Sequence, residues 1–322
     1  MMVLSDTMLS LKNRIDLALS ELAFPGVPAG LYEPMRYSLN APGKRLRPIL
    51  TLLAGTALGA EAADLMPAAL AVEILHTFSL VHDDIMDNAT QRRGRPTLQI
   101  KWDNNTALLA GDGLMALAFQ TLIQTESNNI RRMGAEFSQA MLEICEGQAL
   151  DVEFERRPRV TPAAYLEMVG KKTGRLLALC GQLAALYCQA EEAVVQAFYH
   201  FGREIGQAFQ IQDDVLELTS DAKTMGKSLT SDLAAGKKTL PVVLMTEGMT
   251  TDQVEQFLVH LKENCQNRQA VRQLFEERGV LQVAHGEAER LFESARARLT
   301  VLPAGAQKPL VALVGLIRER RY

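Results

Sequence analysis

No proline interrupts the chain between Pro162 and Pro241, and through that stretch apolar residues recur at three and four positions far more often than they alternate. A proline inside a helix deletes a hydrogen bond and clashes with the preceding turn. Its absence leaves room for long helices through Thr173 to Cys188 and Ala193 to Leu218. Runs rich in Ala, Leu, Met, Glu and Gln favour the same state, and the chain is expected to be all-α. Breakers fall between the helical stretches: Pro25 to Pro28, Ala41 to Gly43, Arg92 to Pro96, Arg157 to Pro162, Ala222 to Lys227, and Leu302 to Pro309. None reads as a flexible linker. With 322 residues, 48% of them hydrophobic, the core can be large, and one helical domain over residues 1–322 fits best. No short solenoid period is visible.

A formal net charge of −4 argues against a general nucleic-acid binder, which would need a broad basic surface. Cys145, Cys180, Cys188 and Cys265 lack close metal-ligand spacing and are expected to be buried, reduced thiols, as suits a reducing cytoplasm. Asp6, Lys12, Arg14 and Asp16 precede any long apolar run, so no cleavable signal is expected. The most apolar later segment, Leu176 to Ala190, is interrupted by Gln182 and too short for a typical span. It reads as a buried helix.

The chemistry concentrates in His76 to Arg95, HTFSLVHDDIMDNATQRRGR. Asp83, Asp84 and Asp87 form a DDxxD pattern, and at about 100° per residue Asp83 and Asp87 lie roughly 40° apart on one helical face. Such a pair can share a cation. Carboxylates late in a helix oppose the negative end of its dipole, so they need solvent or a compensating positive charge. A single acidic run is equally a solvated helix end. The second cluster, DDVLE at Asp213, Asp214 and Glu217, again follows an apolar stretch and is hard to explain that way.

Basic residues come in two groups. In GKRLRP, Gly43 follows Pro42 in a turn and Pro48 suits a first helical turn, which leaves Lys44, Arg45 and Arg47 near a helix N-terminus. That end favours anions, so either a phosphate joins these cations or they form an exposed turn. Arg92, Arg93 and Arg95 follow Asp87 in a Gly- and Pro-containing loop that can fold back over the acidic helix. A metal-bridged polyphosphate would neutralise both sets, with arginine suited to bidentate contacts. His76, seven positions before Asp83, projects about 20° from it on the wheel.

Taken together, GKRLRP at Gly43, HTFSLVHDDIMD at His76, RRGRPT at Arg92, KKT at Lys171, FQIQDD at Phe209, MGKSLTSD at Met225 and GKKTLP at Gly236 resemble the trans-isoprenyl diphosphate synthase family. The resemblance implies a dimeric all-helical enzyme whose acidic motifs face one another and hold Mg²⁺ around an allylic diphosphate. By match to the family pattern, Asp83, Asp87 and Asp213 are the metal ligands, with Asp84, Asp214 and Glu217 acting indirectly. Lys44, Arg47, His76 and Arg93 match the residues that hold isopentenyl diphosphate. Arg92, Lys172, Lys227 and Lys237 match those on the allylic diphosphate, while Thr173 and Gln210 match polar groups near the reacting carbons. The second motif commonly ends in Asp in this family, so Glu217 is a departure.

The resemblance also bears on product length. Phe78 precedes Asp83 by five residues, roughly 7.5 Å along a helix, at a place where bulk limits the growing tail; Ser79 beside it is small. That pairing, with no insertion in DDIMD, resembles a geranylgeranyl-type synthase, although an ordinary core phenylalanine is the alternative and Leu75 or the helix around Leu109 to Phe119 could move the floor. Two other classes are a metal-dependent phosphohydrolase, suggested by adjacent His82 and Asp83, and a silent regulatory subunit. The first needs several histidines, whereas the chain has five and His200, His260 and His285 lack metal-like context. The second sits poorly with two intact acidic clusters.

Overall fold

The structure is a computed structural model that describes residues 4–219 and 231–319. In chain order the α-helices are α1 (Asp6–Ser20), α2 (Ala29–Leu39), α3 (Leu46–Ala57), α4 (Met66–Met86), α5 (Leu98–Lys101), α6 (Asn104–Leu122), α7 (Ile130–Arg156), α8 (Pro162–Val169), α9 (Arg175–Tyr187) and α10 (Glu192–Thr219). Beyond residue 230 come α11 (Ser231–Ala235), α12 (Leu240–Met245), α13 (Thr251–Asn264), α14 (Arg268–Glu277), α15 (Val280–Arg298) and α16 (Ala304–Arg318). Among the described residues the all-α expectation holds, apart from one small antiparallel pair, β1 (Gln91–Arg92) and β2 (Arg95–Pro96), where the RRGR turn reverses the chain.

Local signals account for the helix starts. Asp103 caps α6 by accepting from the Thr106 amide at 2.8 Å, Thr161 caps α8 through the Ala164 amide, and Thr250 with Gln253 forms a capping box at α13. Pro309, grouped with a breaker from the sequence, lies inside α16; the break falls earlier, at Leu302 and Pro303. Thr173 belongs not to α9 but to a π-helical turn, Gly170–Gly174, inserted between α8 and α9.

The apolar faces close over a main core that runs from Ile15 of α1 through Ile74 of α4, Leu183 of α9 and Phe201 of α10 to Leu313 of α16. A smaller core, with Leu218, Val242, Phe275 and Leu281, ties the end of α10 to α12, α14 and α15. As expected, α9 is buried over nearly its whole length. Cys180 is fully buried and burial pushes its thiol up to about 12, but Cys145 is exposed, because its side of α7 carries Leu142 and Glu146 away from the core. Among the described residues no helix is long and apolar enough to cross a membrane.

Two close approaches fix the centre. A Cβ on Gly206 of α10 would lie 2.3 Å from the Cα of Gly174, and one on Gly147 of α7 would lie 2.3 Å from the amide nitrogen of Lys172. Only glycine lets both helices clamp the π-turn this tightly. The turn therefore has one position, and Lys172 and Thr173 have one direction.

Candidate active site

The C-terminal turns of α4 carry the first acidic group. Asp84 is turned inward, 5% exposed, and accepts from Arg92 Nε at 2.9 Å and Nη2 at 2.5 Å. Its carbonyl accepts from Gln99 at 2.7 Å. Arg92 has thus folded back over the helix, as the loop composition implied. Burial pushes the Asp83 carboxyl above its usual range, opposed most by the Lys172 charge, while neighbouring Asp87 adds to the rise. Lys237 Nζ stands 3.4 Å from Asp87 Oδ2, so the GKKTLP segment reaches the end of α4 from across the site. Cations thereby meet the negative helix end.

On the opposite wall, Asp214 of α10 is 4% exposed and fully engaged. It accepts from Tyr165 Oη at 2.6 Å, the Leu240 amide at 3.0 Å and Gln210 Nε2 at 3.1 Å. Gln210 Oε1 in turn accepts from the Thr173 hydroxyl at 3.3 Å. Burial, then the Asp214 charge, pushes the Tyr165 phenol well above its ordinary value, so it remains a donor. Lys172 pairs with Asp151 of α7 at 2.5 Å and is also the leading charge acting on Asp83. A charged path therefore runs from the first acidic motif through Lys172 and Asp151 towards Tyr165 and the second motif.

The GKRLRP turn and the middle of α4 form a basic pocket. Arg47 Nη1 lies 3.2 Å from His76 Nε2, and since arginine only donates, the imidazole accepts there. Burial first, then Arg47, Arg93, Arg92 and Arg45, hold the His76 pKa well below its ordinary value, so the ring is neutral. Among the described residues the buried Arg47 Nε has no hydrogen-bond partner. Arg93 adopts left-handed backbone, φ 54°, and its Nη1 comes within 2.8 Å of where a Gly43 Cβ would stand. Arg45 departs from the group: it turns into the protein to Glu73 at 2.6 Å and Asp16 at 2.8 Å. Its charge is compensated internally, whereas Lys44 is exposed and Arg47 lines the pocket beside His76.

The polyprenyl synthetase family model matches residues 28–278. The chain belongs to that family. It is 40% identical to the geranylgeranyl diphosphate synthase of Methanosarcina mazei over 97% of its own length and 96% of that protein's. It is 37% identical to the geranylfarnesyl diphosphate synthase of Natronomonas pharaonis, covering 92% of this chain and 91% of the other. The crystal structure of the geranylgeranyl pyrophosphate synthetase from Pyrococcus horikoshii Ot3 superposes with a TM-score of 0.89 at 36% identity, over 97% and 98% of the two chains. Membership makes the protein a prenyltransferase. Relatives at similar identity differ in named product, so product length has to be argued from the pocket.

In this polyprenyl synthetase Asp83, Asp87, Arg92, Lys172 and Lys237 come together, as do Arg47, His76 and Arg93, and Thr173 meets Gln210. His76 faces the arginines rather than the carboxylates that the helical wheel suggested. Lys44 is exposed, Asp213 half-buried and Glu217 buried. Lys227 lies outside the described residues. Ser79 Oγ donates to the His76 carbonyl at 2.9 Å, and Phe78 meets the His82 ring edge-on. That places His82 in a helix contact and removes the motive for the phosphohydrolase reading. Asp151, Tyr165 and Glu73 were not anticipated, and Arg45 was expected with the phosphate-facing cations rather than in a buried ion pair. Nothing in their local sequence marks them, because each acts through a partner more than twenty residues away.

Proposed function

We propose that this polyprenyl synthetase joins isopentenyl diphosphate to allylic diphosphates in Mg²⁺-dependent, head-to-tail 1'-4 condensations, extending them as all-trans chains to geranylgeranyl diphosphate. The observation that carries the reading is the pairing of two unlike chambers on one helix. The Arg47 and His76 pocket, with a buried donor left over, sits about 10 Å along α4 from the Asp83 and Asp87 wall. One suits a bare diphosphate and the other a diphosphate carried by metal.

Lys44, Arg47, His76 and Arg93 hold isopentenyl diphosphate; His76 stays neutral and orients Arg47. Asp83 and Asp87, with Asp213 opposite, fit Mg²⁺. Among the described residues no three carboxyl, thiol or imidazole groups converge tightly enough to hold a metal alone, and Mg²⁺ commonly takes one or two carboxylates plus substrate phosphate oxygens. Bound there, Mg²⁺ stabilises the negative charge that grows on departing pyrophosphate. Arg92, Lys172, Lys227 and Lys237 hold the allylic diphosphate and share that charge. Asp84, Asp214 and Glu217 position these groups rather than ligate. The alkene of isopentenyl diphosphate attacks the resulting allylic cation beside Thr173 and Gln210, and the released pyrophosphate takes the final proton. Holding both substrates removes much of the entropic cost of their meeting.

Phe78 closes the product pocket. The exposed Leu108 and Leu109 of α6 and Leu142 of α7 favour a homodimer through those helices. Work in the cytoplasm on these small substrates, without nucleic acid or an integral membrane span, completes the reading. The test is incubation with Mg²⁺, isopentenyl diphosphate and, separately, dimethylallyl, geranyl or farnesyl diphosphate, reading chain length by mass spectrometry. A dominant twenty-carbon product is expected, and absence of condensation with every starter would overturn the proposal.

A further inference from the structure

We infer that Arg175, the first residue of α9, is a positioning residue that holds the π-turn in frame, so that the Thr173 hydroxyl meets Gln210. This rests on the placing of Thr173 beside the reacting carbons and adds a group that never touches substrate. Arg175 is 1% exposed, although guanidinium carries a full charge. Its Nη1 donates to Gln182 Oε1 at 2.7 Å, its Nη2 stands 3.2 Å from Glu136 Oε2, and its Nε stands 3.2 Å from Glu143 Oε1. The Tyr199 ring of α10 lies 5.4 Å from the guanidinium carbon.

Both carboxylates belong to α7, and so do the groups that receive Lys172. At about 100° per residue, Glu136, Glu143, Gly147 and Asp151 fall within about 80° of one another around that helix. One stripe of α7 therefore reads the turn in order. Glu136 and Glu143 take Arg175, Gly147 admits the Lys172 backbone, and Asp151 takes the Lys172 ammonium. The glycines leave the turn one place to sit, but a glycine has no side chain with which to hold it there. Irregular backbone persists only where its surroundings over-determine it. Lys172 pins the turn from within, and Arg175 pins it where α9 begins. Thr173 lies between the two anchors. Without Arg175 the extra residue of the π-turn can move towards Leu176, and a residue that it passes turns by about 100°.

The test is a double-mutant cycle read on kcat with geranyl and isopentenyl diphosphates. Arg175→Met keeps side-chain length and removes the charge, and Glu136 and Glu143, with side chains 29% and 15% exposed, keep a path to water. Its kcat should fall about tenfold to a hundredfold. The Michaelis constant for isopentenyl diphosphate should hold, since Arg47 and His76 lie on α3 and α4. In a Thr173→Val background no hydroxyl is left to place, so Arg175→Met should cost less than about threefold more, while the losses in melting temperature add. Glu143→Gln leaves Arg175 its Glu136 partner and carries the same test where Arg175→Met does not fold; a smaller loss of kcat, again absorbed by Thr173→Val, is expected. A lower melting temperature with the parent kcat, or kcat losses that multiply in the double variant, would overturn the inference. If Thr173→Val alone keeps the parent kcat, the placing of Thr173 fails and the inference with it, while condensation by the parent protein still stands.

Discussion

Replacing Arg45 by methionine removes the cation at the centre of the GKRLRP turn, and its cost can be worked from the contacts. Arg45 is 6% exposed and gives Nη1 to Glu73 at 2.6 Å, Nε to Asp16 at 2.8 Å, and Nη2 to the Leu39 and Ala41 carbonyls at 3.1 and 2.9 Å. Glu73, 2% exposed, would be left as a carboxylate with no cation, and breaking a buried pair from one side costs about 3–5 kcal/mol. Asp16 stays in partial contact with water and Lys12, so its share is small. Domains are stable by about 5–15 kcal/mol, which leaves Arg45→Met folded but marginal. Adding Glu73→Leu removes the stranded charge, and the double variant should recover most of the loss, since apolar replacement of a buried pair is often neutral. Urea unfolding at constant m-value measures both. The Michaelis constant for isopentenyl diphosphate should rise in each variant while that for the allylic starter holds, because Arg45 sets the backbone between Lys44 and Arg47. A single-variant cost below about 1 kcal/mol, or a double variant no better than the single, would refute the reasoning.

Asp214→Asn turns a carboxylate that accepts from three donors into an amide that can satisfy only part of them, costing about 1–3 kcal/mol for each donor stranded; a fall in kcat with a lower melting temperature is expected, and parent values for both would dismiss Asp214 as the latch on the Lys237 segment. For His76 the folded pKa is depressed, so below the ordinary value of about 6.5 the unfolded chain binds more protons and stability is lost as pH falls, while above it the contribution is flat. Urea midpoints between pH 5 and 8 should therefore slope in the parent on the acid side and slope less in His76→Gln; identical slopes would place the ring in a hydrated setting. Gly206→Ala sets a methyl 2.3 Å from the Gly174 backbone, with no side chain to move aside, and should cost about 1–3 kcal/mol or more and reduce kcat through Thr173; calorimetry and steady-state kinetics check it.

The helices were legible because their signals are local. The proline-free stretch and the apolar spacing bound α9 and α10 to within a few residues, and the folding back of Arg92 followed from the RRGR turn. The different duties of adjacent aspartates were half legible: successive residues lie about 100° apart, so Asp83 and Asp84 had to face different ways, but the sequence cannot say which faces inward. Arg45 could not be separated from Lys44 and Arg47, because its direction depends on left-handed backbone at φ 54° and on Asp16 and Glu73 from distant helices. Asp151 and Tyr165 were invisible for the same reason. They enter the site only once the glycine contacts have drawn α7, α8 and α10 around the π-turn.

That π-turn gives this chain an unusual intolerance to changes in spacing. A π-helical bulge amounts to one residue more than an α-helix would use. Deleting a single residue from Gly170–Gly174 would let α8 run into α9 as one regular helix, with better backbone hydrogen bonding than the parent. The same deletion would swing Lys172 or Thr173 by about 100° and away from Asp151 and Gln210. On the proposed roles of Lys172 and Thr173 the more regular polypeptide is expected to be the inactive one, so this point would tolerate a change of residue better than a change of spacing.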